Sequence, residues 1–342
     1  SGVTWRLLWN LGGLYRMESV FYHNASRVNE GDFLAILFHC PWDNADQWLA
    51  ALQAALPNEE FRIWPDLGAV EEIDFAMVWK LPHGILSALP NLAAISSLGA
   101  GVDALIEDPG LPRHIPIARL VDPLMTDRMA EYVCATVLHH HLGLDVYDEH
   151  QRRQYWQRNP TTDARDRTVA LLGLGQMGRR CAQRLGALGF NLAGWSRGSN
   201  DVVGVQCSHG RGNLEGVLQA ADITVVLLPL TGQTINLMDR VAFNAMRPGS
   251  HVINCSRGEL VVDADLIAAL DAGQLAGATL DAFREEPLPR GHPLWRHPKV
   301  RVTPHIASLS APDTAALILA DQVRRARNRQ HLADTINIEH GY

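Results

Sequence analysis

Residues 167–197 decide how this chain is read: Arg167-Thr-Val-Ala-Leu-Leu172-Gly173-Leu-Gly175-Gln176-Met177-Gly178, a helical stretch, then Asn191-Leu-Ala-Gly-Trp-Ser196-Arg197. A short apolar run feeds a glycine turn that opens a helix, and a second apolar run follows. That is the dinucleotide-binding fingerprint in its required strand–turn–helix context. Gly173 and Gly175 permit the tight turn and a close approach of backbone to a pyrophosphate, and Gly178 lets the helix pack on the strand. The helix then opens at Gln176 and Met177, whose end of the helix offers N–H groups and partial positive charge to phosphates. Downstream, Met177, Cys181, Leu185 and Leu188 recur at helical spacing. A fold that prefers NAD puts an acid at the end of the second strand to hold the ribose 2′-OH. Here that place holds Ser196-Arg197, which suits a 2′-phosphate and predicts NADPH over NADH.

The rest of the chain sets bounds on this reading. Its 342 residues, 47% of them hydrophobic, are enough for two domains with substantial cores. A net charge of −7 argues against nonspecific nucleic-acid binding. Cys40, Cys134, Cys181, Cys207 and Cys255 are scattered without a CxxC pair, which predicts reduced thiols in a cytoplasmic protein. No run is long and apolar enough to span a membrane. Residues 1–31 are read as an extension outside the catalytic fold; within them Asn24-Ala-Ser26 fits a glycosylation acceptor, accidental in a cytoplasmic chain. His139-His140-His141 resembles a metal cluster, but consecutive helical residues point about 100° apart, so no metal site is expected there.

From Phe33 onward short apolar runs alternate with helical stripes, which predicts parallel sheets covered by helices. Strand candidates at residues 33–38, 61–64, 75–78 and 93–96 form a first α/β unit that ends near Asp122-Pro123. A long helical stretch over about 126–147 leads into the second unit. There, further strands end in Leu228-Pro229, in Asn254-Cys255-Ser256-Arg257-Gly258 and in Leu280-Asp281, where ligands of open α/β sheets bind. The Ala/Leu-rich stretch from Pro312 is helical, and its arginines from Arg324 to Arg329 are read as a solvated face favoured by the helix dipole. The expected architecture is α/β: two Rossmann/flavodoxin-like doubly wound domains with a cleft between them. The discontinuous substrate domain spans 32–122 plus 304–342, and the dinucleotide domain spans 123–303.

Beyond the fingerprint, three polar sites lie in order: Arg257 in Asn-Cys-Ser-Arg-Gly, Glu286 in Arg284-Glu-Glu286-Pro-Leu-Pro, and His305 in Thr-Pro-His305-Ile-Ala-Ser. With Ala76-Met-Val-Trp79, Leu98-Gly-Ala-Gly-Val-Asp103, Trp195-Ser-Arg197 and Pro293-Leu-Trp295, the chain from Phe33 onward resembles the D-2-hydroxyacid dehydrogenase family, closest to its glyoxylate/hydroxypyruvate reductase A branch. The resemblance implies reduction of a small 2-keto acid by hydride from a nicotinamide, with His305 as proton donor and Glu286 orienting its ring. Arg257 would grip the carboxylate or polarise the carbonyl. Backbone N–H groups at Gly99, Ala100 and Gly101 would hold the other carboxylate oxygen, Trp79 would line the pocket, and Asp281 would accept from the nicotinamide carboxamide. It also implies a homodimer, to which the long helical stretch contributes. The alternatives are a relative acting on pyruvate, phenylpyruvate or a phosphoglycerate-type substrate, and a nucleotide-sensing interaction protein on the same fold. A 3-hydroxyacid dehydrogenase is disfavoured, since such chains carry the fingerprint at the N-terminus and use a lysine.

Overall fold

The computed structural model describes residues 34–42, 44–199 and 201–341, together with the backbone of two strands, β1 (Thr4–Trp9) and β2 (Tyr15–Val20), which pair antiparallel with each other. The remainder of the expected extension over residues 1–31, including the acceptor at residues 24–26, lies outside the described residues.

The first α/β unit contains β3 (Ala35–His39), α1 (Ala45–Ala55), β4 (Glu60–Ile63), β5 (Ile73–Val78), β6 (Ala94–Ser97), the single-turn α2 (Asp103–Ile106) and β7 (Ile117–Ala118). Its five strands are all parallel in the order β4-β3-β5-β6-β7, the flavodoxin-like arrangement. β5 and β6 are buried along their whole length and β3 everywhere but at His39, as parallel strands covered on both faces should be.

A helix pair follows: α3 (Pro123–Leu142) and α4 (Leu144–Arg152). The single stretch expected over about 126–147 is therefore two helices. Gly143 takes φ 62°, the left-handed conformation that ends a helix and that glycine adopts without a Cβ clash. The start is earlier than expected because Asp122 caps α3, its carboxylate accepting from the Leu124 N–H at 2.8 Å, with proline at the first helical position.

The second sheet is built from β8 (Thr168–Leu172), α5 (Gln176–Ala187), β9 (Asn191–Ser196), β10 (Gln206–His209), α6 (Leu214–Ala220), β11 (Ile223–Val226), α7 (Arg240–Ala245), β12 (Ser250–Asn254), α8 (Asp263–Asp271), β13 (Leu275–Leu280) and β14 (Val300–Val302). Its seven parallel strands run β10-β9-β8-β11-β12-β13-β14, the Rossmann order extended by one strand. Register aligns the strand ends: Trp195 lies beside Leu172, Leu172 beside Val226, Val226 beside Asn254, Asn254 beside Leu280 and Leu280 beside Val302. One residue further on, Gly173, Leu227, Cys255, Asp281 and Thr303 therefore share one edge of the sheet.

The last helix, α9 (Pro312–Arg327), returns to the first sheet, where Ala315, Ala316, Leu319, Ala320 and Val323 join the core of Ile36, Phe38, Trp48 and Leu52. Its arginine tail is not simply solvated. The Arg327 fork donates from Nε and Nη2 to both oxygens of Asp74 at 3.0 Å, and Nη1 meets Glu59. A planar guanidinium matches a carboxylate in this bidentate way, so the residue clamps α9 to the first sheet.

Candidate active site

The glycine turn behaves as its three positions demand. Gly173 has φ 113°, and a Cβ there would stand 2.7 Å from the Leu227 carbonyl oxygen. A Cβ on Gly178 would meet the Gly173 carbonyl at 1.9 Å, which only glycine-tight packing of helix on turn avoids. Gly175 faces open space, with nothing within 4 Å of its would-be Cβ. It precedes Gln176 and Met177 at the start of α5, whose N-terminus has no side-chain cap. The chain thus leaves a cradle of open N–H groups at a helix N-terminus, which fits a pyrophosphate. Met177 packs against the core of the first sheet and against the core beneath α3 and the second sheet. Leu228 is buried and Pro229 partly so at the next strand end. At the end of β9, Ser196 is buried and its hydroxyl donates to the Gly198 carbonyl at 2.7 Å, while Arg197 is exposed.

The polar residues expected downstream converge on the same edge. His305 has φ 54° and is held by its N–H, which donates to the Asp281 carbonyl at 2.9 Å. Its Nδ1 lies 2.9 and 3.0 Å from the two carboxylate oxygens of Glu286, and the side chain is 41% exposed. Nε2, on the opposite side of the ring, is the nitrogen left for a substrate. Burial alone would raise the Glu286 carboxyl, but the hydrogen bond and charge of His305, the Phe283 N–H and nearby Lys80 outweigh it and hold the group below the ordinary carboxylate value. Lys80, whose φ is 48°, brings Nζ to 4.0 Å from Glu286 from the first sheet.

Arg257 emerges after β12 on a turn braced by Asn254, whose Nδ2 donates to the Arg257 carbonyl at 2.9 Å. Gly258 follows because a Cβ there would lie 1.9 Å from the Phe283 carbonyl carbon. The guanidinium spans to the first sheet: Nε donates to Asp103 at 3.1 and 3.2 Å, and Nη1 donates to the Ser256 carbonyl at 2.9 Å. Nη2 lies against Gly101, where a Cβ would stand 1.7 Å away. Trp79 covers Gly99, with a Cβ there meeting its ring at 2.5 Å. It packs on Trp42 with centroids 5.5 Å apart, and Trp42 packs on Trp48. Trp79, Lys80, Gly101 and Asp103 line one small cavity.

Two expectations change with the geometry. The Gly99 N–H is already engaged, donating to Ser97 Oγ at 3.3 Å, so only Ala100 and Gly101 keep N–H groups without a partner among the described residues. Asp281 is 1% exposed and already bonded. It accepts from Thr303 Oγ1 at 2.6 Å and from the N–H groups of Ile306 and Ala307 at 2.9 Å each. Its first task is to hold the turn that carries His305, and a carboxamide would have to share what lone pairs remain. Asp103 and Lys80 were not singled out from the sequence. The aspartate did stand in the quoted glycine segment, but its partner lies 154 residues away.

The three consecutive histidines do diverge. His139 Nε2 lies 3.2 Å from an Arg301 nitrogen, His140 packs on His251 at 4.4 Å, and His141 meets the edge of Phe190. His140 instead groups with Asp145 and His251, their ligand atoms all within 4.8 Å of one another. Among the described residues no helix is long and apolar enough to cross a membrane.

Known proteins match this geometry. Residues 134–307 match the family model of the D-isomer specific 2-hydroxyacid dehydrogenase NAD-binding domain. Glyoxylate/hydroxypyruvate reductase A of Serratia proteamaculans is 38% identical over 90% of this chain and 99% of its own. A D-isomer specific 2-hydroxyacid dehydrogenase from Xanthobacter autotrophicus, crystallised with NADPH and MES, superposes with a TM-score of 0.86 at 40% identity, covering 90% of this chain and 99% of that one. An NADPH-dependent glyoxylate/hydroxypyruvate reductase from Sinorhizobium meliloti, in complex with NADP and sulfate, gives 0.85 at 32% identity, covering 90% and 100%.

Proposed function

The chain belongs to the D-isomer-specific 2-hydroxyacid dehydrogenase family of oxidoreductases, and we propose that it reduces small 2-keto acids, glyoxylate and hydroxypyruvate, to 2-hydroxy acids with NADPH. The observation that carries this reading is the His305–Glu286 pair on the same sheet edge as Arg257 and the glycine cradle.

NADPH, when bound, supplies the hydride that ends on the carbonyl carbon. Gly173, Gly175, Gln176, Met177 and Gly178 would hold its pyrophosphate, Ser196 and Arg197 its 2′-phosphate, and Leu228 and Pro229 would flank it. Arg257 Nη2 and the N–H groups of Ala100 and Gly101 take the substrate carboxylate, turning the ketone toward His305. His305 gives its Nε2 proton to the carbonyl oxygen as the alcohol forms. Glu286, accepting at Nδ1, stabilises the imidazolium before transfer and keeps the ring in place afterwards. Trp79 narrows the pocket toward short keto acids.

The working units in this reading are a substrate domain of 32–122 plus 304–342 and a dinucleotide domain of 123–303. Asp122 sits where the chain crosses between them, capping α3 and accepting from Thr314 of α9 at 2.5 Å. A homodimer completes the proposal. Leu142, Leu144, Val146, Tyr155 and Trp156, the last 92% exposed, form an apolar set on and after the α3–α4 pair that a second copy would cover.

Steady-state rates with glyoxylate, hydroxypyruvate, pyruvate and phenylpyruvate, each with NADPH and NADH, test the proposal. Highest kcat/KM for the first two with NADPH is expected. Preference for NADH would overturn the role of Arg197, and no turnover of any 2-keto acid would overturn the activity.

A further inference from the structure

The guanidinium of Arg257 has five N–H donors in one fixed plane, and two of them, one at Nε and one at Nη1, are engaged before any substrate arrives. Nε–H is taken by both oxygens of Asp103 at 3.1 and 3.2 Å, and Nη1 by the Ser256 carbonyl at 2.9 Å. What stays uncommitted is the Nη2 side, pressed against Gly101 and beside the N–H groups of Ala100 and Gly101. Both partners are about four-fifths buried, at 20% and 21% side-chain exposure, so the contact is shielded from water in a way that surface pairs are not. Asp103 opens α2 directly after the glycine loop of the first sheet, whereas Arg257 follows β12 of the second. The pair therefore forms across the cleft.

We propose that Asp103 is a positioning residue for the reduction: it acts on the substrate through Arg257, fixing the rotation of the guanidinium so that Nη2 presents to the keto-acid carboxylate. A free arginine would spread its fork over many rotamers. Tethering at Nε and Nη1 removes that freedom before binding, and misplacing such a group by about 1 Å costs on the order of a hundredfold in rate. The tether also explains the glycine at 101, since a Cβ there would occupy the place of Nη2 and lie 2.9 Å from Asp103 Oδ1. Because the two residues come from different sheets, Arg257 is aligned only when the sheets are as close as they are here, which couples approach of the domains to carboxylate recognition. This inference rests on the reading of Arg257 as the carboxylate-binding residue.

A double-mutant cycle decides it. Asp103→Asn, Asp103→Ala, Arg257→Ala and the Asp103→Ala/Arg257→Ala pair are compared by KM and kcat for glyoxylate, Ki of oxalate as a non-reducible carboxylate probe, and Kd of NADPH. Asp103→Asn keeps the shape of the side chain and guards against loss of fold. Expected are a rise in KM and in oxalate Ki of about tenfold or more for each Asp103 variant, equivalent to ~1.4 kcal/mol. NADPH affinity should stay within about twofold, and Asp103→Ala should cause no further loss in the Arg257→Ala background. Unchanged oxalate binding in the Asp103 variants, or full additivity in the double variant, would overturn the positioning role while leaving the activity intact. A wild-type chain that neither reduces glyoxylate nor binds oxalate would instead overturn the functional reading and this inference with it.

Discussion

The two ends of the seven-stranded sheet use the same residue types for opposite purposes. At the end where the strands begin, Asp222 is 8% exposed and fully engaged: it accepts from the Thr168 N–H at 2.8 Å, from Arg247 at 3.0 Å and from Arg167 at 3.3 Å. Beside it His251 and His140 pack ring on ring. Burial lowers His140 to about 2 and His251 to about 4, so both stay neutral. At the end where the strands finish, His305 and Arg257 are paired on one side and open on the other. A charged group closed on every side stabilises the fold; one closed on a single side is aimed. That half-open pairing, rather than the presence of Arg, Glu and His, is what marks this edge as the proposed catalytic one.

Substitutions at the two ends should separate cleanly. The largest effect is expected for His305→Gln, which removes the proposed proton donor and should lower kcat by about 10²- to 10⁴-fold, while a fluorescence titration shows NADPH binding unchanged. Asp222→Ala should do the reverse. It strands two arginines and a buried N–H, at about 2 kcal/mol of stability in urea unfolding, with kcat of the folded protein unaltered. A catalytic defect without loss of stability would erase the distinction between the ends.

Smaller effects sharpen the comparison. Arg197→Ala should lower the NADPH-to-NADH ratio of kcat/KM by about tenfold; an unchanged ratio would move 2′-phosphate recognition elsewhere. Acid should attack the ends in sequence. His251 has its folded value lowered to about 4, so the unfolded chain takes up a proton first, and stability falls by up to ~1.4 kcal/mol per pH unit as pH drops from the ordinary histidine value of about 6.5. Glu286 has a lowered value too, but as a carboxylate its contribution is present above the ordinary value of about 4.3 and is lost only as pH falls through the lower folded value. His251→Gln should therefore shift the acid-unfolding midpoint, followed by circular dichroism, downward by a few tenths of a unit, whereas Glu286→Gln should not move it in that range.

Local chemistry made much of this legible before the structure. Glycine spacing announced the turn at Gly173, and apolar alternation announced both parallel sheets. Punctuation by Gly and Pro marked the strand ends where such a sheet binds ligands, while the choice and roles of Arg257, Glu286 and His305 came from the resemblance to the family. Other features were hidden for physical reasons. β10 is a polar, partly exposed edge strand without the buried-strand pattern, and β7 is two residues long. The break at Gly143 was masked by apolar residues on both sides. The partners of Asp103, of Lys80 and of the tail arginine Arg327 are set by how the sheets pack, and periodicity along the chain carries no information about contacts so far apart.

The most direct test of the open edge follows the hydride itself. Glyoxylate reduced with NADPH deuterated at the transferable C4 position should give glycolate carrying one deuterium on C2, seen by mass spectrometry, with the yield collapsing in His305→Gln and surviving in Asp222→Ala. Glycolate without deuterium, or a His305→Gln variant that makes it at the wild-type rate, would contradict the account.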